Sequence, residues 1–299
     1  MVGMTRRSLL RAVAVVGGVG LLFFAAVFAV AYLTGVRETL GGPKVALVEI
    51  DGVIMDSKEI TDQFERHLQN PTVRAFLIRI NSPGGGVAAS QEIHEELLKV
   101  RRVHGKPVVA SMGSLAASGG YYVASAADRI LANPGTITGS IGVIMQIPNF
   151  GELLQKIGVR AVVIKSGTYK DLASATRELT TEERRILQSV LDDVHDQFIQ
   201  AVAEGRKLER RRVEQLADGR IFSGRQAQEL GLVDELGNLQ DALARAGNLA
   251  GIPGRPAVTQ IEKRRFSLLR LLTGWQLAEP WGLPGTSPSL TLAYLFHLP

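Results

Sequence analysis

The 299-residue chain has no cysteine. That absence excludes disulfides, thiolate metal sites, a cysteine nucleophile and an N-terminal lipidated cysteine. Histidine is scarce too, with only His67, His94, His104, His195 and His297. No two of them stand three or four residues apart, so none makes a helical metal pair. Surface or packing roles suit all five, and a serine hydrolase built on this chain would need another base. Lys and Arg exceed Asp and Glu by 34 to 29, a formal net charge of +5, but no basic block is long enough for a nucleic-acid arm. The mild excess suits an anionic membrane surface. Walker and Gly-x-Gly-x-x-Gly loops are missing, as are internal repeats and low-complexity tracts. Neither a metal nor a cofactor is expected.

What the chain does have begins with residues Ala12 to Val36, an uncharged run of 25. As a helix it is about 37 Å long, enough for a hydrocarbon core of about 30 Å. Arg6, Arg7 and Arg11 precede it. The positive-inside tendency keeps them in the cytoplasm and puts the bulk of the chain outside. The competing reading is a cleaved signal peptide; the run is long for one, although Ala29-Val30-Ala31 offers a small-residue cleavage site. The expected organisation is a cytoplasmic segment 1–11, a transmembrane anchor 12–36, a linker 37–44, a catalytic domain 45–250 and a C-terminal segment 251–299 of open role.

Within 45–250, apolar strand-type runs at Val45–Ile50, Phe76–Ile80, Pro107–Ala110 and Ala161–Ile164 alternate with helical patterns. The helices are expected near Lys58–Leu68, Ala88–Val103 and from Thr180 or Thr181 to about Gly205, with shorter ones after Ser223 and over Leu239–Ala246. Such alternation predicts an α/β fold with a parallel sheet. Beyond it, Lys263 to Trp275 has the pattern of a basic amphipathic helix, for a membrane surface or for packing on a domain. Leu290 to Leu298 is a short apolar end without an assignment.

Three segments that follow strands carry residues able to do chemistry, and the ends of such strands are where α/β active sites gather. Asn81-Ser82-Pro83-Gly84-Gly85-Gly86 lets the backbone approach a ligand, with amides free to meet an anion; the alternative is a tight turn. Ser111 to Tyr122 places Ser118 among small residues where a strand gives way to a helix, with the Gly119 amide beside it. Lys165-Ser166-Gly167-Thr168-Tyr169-Lys170-Asp171 offers a lysine, which acts as a base only as the neutral amine that desolvation favours.

These segments, together with Thr138-Gly139-Ser140-Ile141-Gly142-Val143, resemble the short form of the signal peptide peptidase A family. The resemblance covers about Val45 to Ala246. It implies a ClpP/crotonase-type fold and a Ser/Lys dyad that cuts residual signal peptides. Carried over by position, Ser118 is the nucleophile, Lys170 the base, Ser140 the residue orienting the lysine, and Gly84 and Gly119 the oxyanion donors. It also implies a homo-oligomeric ring, an octamer in the short form, in which the lysine of one subunit completes its neighbour's serine site. The expected partners are apolar peptides and the membrane, not nucleic acid, and the expected location is the outer side of the cell membrane on a single-pass anchor. Rival readings are a related membrane protease acting on a hydrophobic partner tail, a crotonase-like acyl-CoA enzyme, and a non-catalytic scaffold.

Overall fold

The computed structural model describes residues 17–27, 41–261 and 293–295. In chain order the helices are α1 (17–27), α2 (Lys58–Gln69), α3 (Val87–Arg102), α4 (Gly119–Ser125), α5 (Gly151–Lys156), α6 (Thr181–Arg206), α7 (Arg210–Glu214), α8 (Gly224–Glu229) and α9 (Leu239–Leu249). The strands are β1 (Lys44–Asp51), β2 (Val73–Ser82), β3 (Gly84–Gly86), β4 (Val108–Ala117), β5 (Arg129–Ala132), β6 (Ile137–Gly139), β7 (Ile221–Ser223), β8 (Glu235–Leu236), β9 (Ala257–Gln260) and β10 (Ala293–Leu295).

Alternation along β1 and β2 sets the layers. Ala46, Val48, Phe76, Ile78 and Ile80 join one core cluster, and Val45, Ala75 and Leu77 the other. Both faces of the sheet are covered, which is why these strands read as continuous apolar runs rather than as alternating ones. The first cluster gathers Phe64 from α2, Ile93 and Leu97 from α3, Tyr121 from α4 and Phe198 from α6. The second takes Ala242, Leu243 and Ala246 from α9. Each fully buried Leu, Ile or Phe contributes about 1.5–3 kcal/mol.

The main sheet runs β7-β6-β4-β2-β1-β9, with β5 beside β4 and β8 beside β5. Every pair in it is parallel except β6 with β7. β4 is long enough to hold two neighbours on one edge, β5 along Val109–Ser111 and β6 along Leu115–Ala117. Parallel β2, β4 and β6 therefore bring three C-terminal ends together, those that lead into the glycine run, Ser118 and Ser140. The mixed α/β architecture with a mostly parallel sheet fits the expected fold.

Helix starts were legible. Thr180 accepts from the Glu183 N–H and Glu183 answers at the Thr180 N–H, a capping box worth about 1 kcal/mol. Ser223 makes the same arrangement with Gln226.

Ala161–Ile164 is a correction. It is not a strand: the segment is irregular and unpaired, with Val162 84% and Ile164 97% exposed. Its residues favour extended structure, but a strand exists only through its ladder, and no strand of the described residues pairs with it.

Of the expected membrane anchor, only 17–27 are described. They are helical, with Leu21, Phe23 and Phe24 exposed. Among the described residues no helix is long and apolar enough to cross a membrane. The rest of the 12–36 segment, the segment 1–11, most of the linker and the expected helix over Lys263 to Trp275 lie outside the described residues.

Candidate active site

β4 ends at Ala117 and α4 begins at Gly119, so Ser118 is the single residue on which a strand turns into a helix. Its φ of 53° and ψ of −119° lie in a region that residues other than glycine seldom occupy. Two main-chain bonds hold it there. The Ser118 N–H donates to the Gly139 carbonyl at 2.8 Å, and the Ser118 carbonyl accepts from the Tyr122 N–H at 2.8 Å. The hydroxyl is not used to cap α4. A serine presented on a strained strand-to-helix turn has the geometry of a nucleophile elbow.

The glycine strand β3 packs directly against this turn. A Cβ on Gly119 would lie 2.5 Å from Ser90 Oγ and 3.2 Å from both Gly84 Cα and the Gly85 nitrogen, so no side chain fits. The glycine strand and the start of α4 thus meet beside Ser118, with main-chain atoms of Gly84 and Gly85 close to Gly119 and no room for a side chain between them. The Gly84 N–H is held by the Ser82 hydroxyl at 3.0 Å, and Gly84 has a φ of 98°.

Ser140 sits one residue after the carbonyl that holds Ser118. Its φ is 52°, its N–H donates to Arg220 O at 2.8 Å, and it lines a cavity of about 520 Å³ together with Asp192, His195 and Asp218.

Lys170 is exposed, in a run of turns where its N–H donates to Gly167 O at 3.2 Å. The structure therefore brings Ser118, Gly84 and Gly119 together, sets Ser140 on the neighbouring strand end, and leaves Lys170 facing outward.

The loop that carries Lys170 is nonetheless firmly held. Asp171 accepts from Lys165 Nζ and, at 3.0 Å, from Arg177 Nε. Arg177 also donates to Glu183 Oε2 at 2.8 Å, in the first turn of α6. Hydrogen bonds from Arg177 and then Lys165 hold the Asp171 carboxyl well below the usual range. Arg177, followed by the Thr180 N–H, pulls Glu183 down to about 2.

The sequence profile of peptidase family S49 matches residues 101–253. A protease candidate of Synechocystis is 46% identical over 233 residues, which span 77% of this chain and 83% of that protein. A signal peptide peptidase SppA candidate of Enterococcus faecium is 36% identical over 69% of this chain and 64% of its own length. Protease 4 of Haemophilus influenzae is 38% identical over 69% of this chain, which spans about a third (35%) of that longer protein. The chain belongs to peptidase family S49.

As an S49 member it is a serine peptidase, and the architecture around Ser118 suits that chemistry. Sequence reasoning named Gly85 only within the glycine run and overlooked Ser90 and Arg177. Gly85 accompanies Gly84 against the elbow, and a Cβ on it would meet Ile54 O at 2.0 Å. Ser90 is wholly buried beneath Gly119, its hydroxyl donating to Gly86 O at 2.9 Å. Arg177 organises the lysine loop. The triple glycine flagged the first in outline; Ser90 meets Gly119 from a distant segment, and Arg177 bonds Asp171 and Glu183 across an irregular loop that no periodic spacing reveals.

Proposed function

We propose that Ser118 is the nucleophile and Lys170 the general base of a membrane-anchored peptidase that cuts apolar peptides, residual signal peptides among them. The observation that carries this reading is the strained Ser118 turn packed against the glycine strand. Ser118 Oγ attacks the scissile carbonyl while the neutral Lys170 amine takes its proton. Amides of Gly119 and Gly84 meet the oxyanion, the Gly84 N–H leaving the Ser82 hydroxyl to do so. The proton passes to the leaving amine, and water activated by the same lysine releases the acyl group. Ser140 orients the amine.

The lysine comes from a neighbouring subunit in a homo-oligomeric ring. Two features favour this. Lys170 is exposed where Ser118 is buried, and the stretch leading to it exposes Phe150, Leu153, Ile157, Val162 and Ile164, large apolar side chains of the kind that a subunit contact covers. Docking a neighbour over that stretch would take the amine out of water. The apolar run 12–36 anchors the chain, and the peptidase domain faces the extracytoplasmic side, where cleaved signal peptides lie.

The test is covalent labelling with a serine-reactive probe together with cleavage of a leucine- and alanine-rich peptide. Ser118→Ala abolishes both, and Lys170→Ala lowers both by orders of magnitude, because members of such a unit act together. Full labelling and cleavage by Lys170→Ala would show the base to be another residue.

A further inference from the structure

A cavity of about 550 Å³ opens at the far end of the sheet from Ser118. Pro107 directly precedes β4 and Asp128 directly precedes β5, so the cavity lies where these parallel strands begin. Ser118 follows the last residue of β4, and a strand of 10 residues puts it about 30 Å away. Five cations line the cavity: Arg101, Lys106, Arg129, Arg206 and Lys207. Against them stand two carboxylates, Asp128 and Asp234, and both are committed elsewhere. Asp128 accepts from Arg101 Nε at 2.7 Å and from the Val108 N–H at 2.8 Å. Asp234 takes Arg206 at 2.9 Å, Arg129 at 3.2 Å and the Ile130 N–H at 2.7 Å. Arg101 and Arg206 also complement the carbonyl ends of α3 and α6, so their presence has a structural reason. Lys106 and Lys207 are left over: among the described residues neither makes an ion pair. Burial, with Arg74 close by, lowers the Lys106 amine from its ordinary value. That ammonium is short of both solvent and counter-charge, and a bound anion would supply the second.

We propose that this cavity is a binding site for a phosphate group, of the kind that an anionic phospholipid headgroup carries. Phosphate suits the set, because guanidinium groups meet its oxygens in pairs and lysines add point charges. The volume falls within the roughly 300–1,000 Å³ of ordinary small-molecule sites. Nothing in the site depends on Ser118 or Lys170; only its position relative to a bilayer rests on the proposed anchor. β1 runs parallel to β2, and β2 to β4, so Lys44, where the chain enters the sheet, stands at the same end as the cavity. The apolar run 12–36 lies just ahead of Lys44 in sequence. An anchor in that run holds this end of the domain toward the headgroups, and an anionic surface attracts cations placed there. A headgroup seated in the cavity fastens the leading end of the sheet to the bilayer and thereby sets the orientation of the domain, with the Ser118 end at a fixed height.

The experiment takes the full chain in a neutral detergent and titrates it calorimetrically, at fixed ionic strength, with short-chain phosphatidylglycerol, short-chain phosphatidylcholine and inorganic phosphate. Phosphatidylglycerol should bind at one site per chain, and the zwitterionic phosphatidylcholine should not. Lys106→Gln with Lys207→Gln should weaken binding by at least about tenfold, as the loss of two charged contacts requires. Arg211→Gln with Arg212→Gln removes the same charge from exposed positions of α7 and should change it by less than about twofold. Urea unfolding checks that both double variants stay folded. Inorganic phosphate that binds as tightly as phosphatidylglycerol, and competes with it, supports the site and makes free phosphate its ligand; tighter binding of phosphatidylglycerol supports the lipid source. Phosphatidylcholine binding as well as phosphatidylglycerol, no binding of any of the three, or an equal loss in the two double variants would overturn the site. Peptide cleavage in detergent should be the same in wild type and in the Lys106 and Lys207 double variant. Phosphate binding by a wild-type protein that neither labels nor cleaves would count against the Ser118 reading and leave the cavity standing.

Discussion

Asp171, next in sequence to Lys170, accepts a 3.0 Å hydrogen bond from Arg177 Nε, and Arg177 reaches on to Glu183 at the start of a 26-residue helix. The lysine loop is thereby fastened to a rigid element, although Lys170 itself is exposed. Bidentate and charge-assisted bonds of this kind fix geometry as well as supply energy. Arg177→Ala should leave the sheet folded and lower peptide cleavage, by up to about 100-fold if the amine is displaced by about 1 Å. The loss should fall on kcat rather than KM, and Arg177→Lys should restore part of it. Steady-state kinetics on the three proteins checks this; unchanged kcat in Arg177→Ala would show that the loop holds itself.

Gly119 is required for want of space rather than for a special φ. A methyl group there would press on Ser90 Oγ at 2.5 Å and on the Gly84 and Gly85 backbone at 3.2 Å. Gly119→Ala should cost about 1–3 kcal/mol through overpacking and also push the two amide-bearing segments apart. Adding Ser90→Ala removes the closest clash but not the backbone contacts. The double variant should regain stability in urea unfolding while probe labelling at Ser118 stays slow. Recovery of both together would mean that the backbone spacing is not critical.

The parts of this molecule that were legible in sequence are local ones. Thr180 and Ser223 announce helix starts because a cap bonds within three residues of itself, and the Ser118 elbow reads from small residues between a strand and a helix. Ala161–Ile164 was misread for the opposite reason. Four β-favouring residues look like a strand, yet the ladder has to come from elsewhere, and no described strand supplies it. Ser90 and Arg177 were invisible for a related cause: Ser90 acts on Gly119, remote in sequence, and Arg177 bonds within an irregular loop that no periodic spacing announces.

Two histidines shape the acid response. His67 packs edge-on to Phe76 at 6.1 Å and His94 against Tyr122 at 4.8 Å, and both are almost fully buried. Burial, with Lys106 near His67 and Arg102 near His94, pushes each down to about 4 from 6.5. Between those values the unfolded chain binds protons that the fold does not, so stability is complete above about 6.5 and falls as pH drops toward 4. Each contributes up to about 3 kcal/mol to that fall. Glu183, held down to about 2, loses its contribution only at lower pH, between about 4.5 and 2. Urea unfolding at pH 7 and pH 5 should show a marked drop that shrinks in His94→Leu. An equal drop in the variant would place the titrating group elsewhere.

The proposed sharing of sites between subunits has a direct consequence. If Lys170 serves its own chain, a mixture of Ser118→Ala and Lys170→Ala subunits has no complete site. If it serves a neighbour, some contacts in a mixed ring pair an intact serine with an intact lysine, and activity returns. Co-expression of the two variants should therefore restore a substantial fraction of wild-type cleavage, up to about a quarter for random mixing, because serine and lysine are each intact in half of the subunits. Ile164→Asp, which puts a charge at a 97%-exposed position of the apolar stretch, should abolish the rescue and shift the sedimentation coefficient toward that of the single chain. Rescue that survives loss of assembly would mean that the two residues meet by some other contact. No rescue in an intact ring would return Lys170 to its own Ser118.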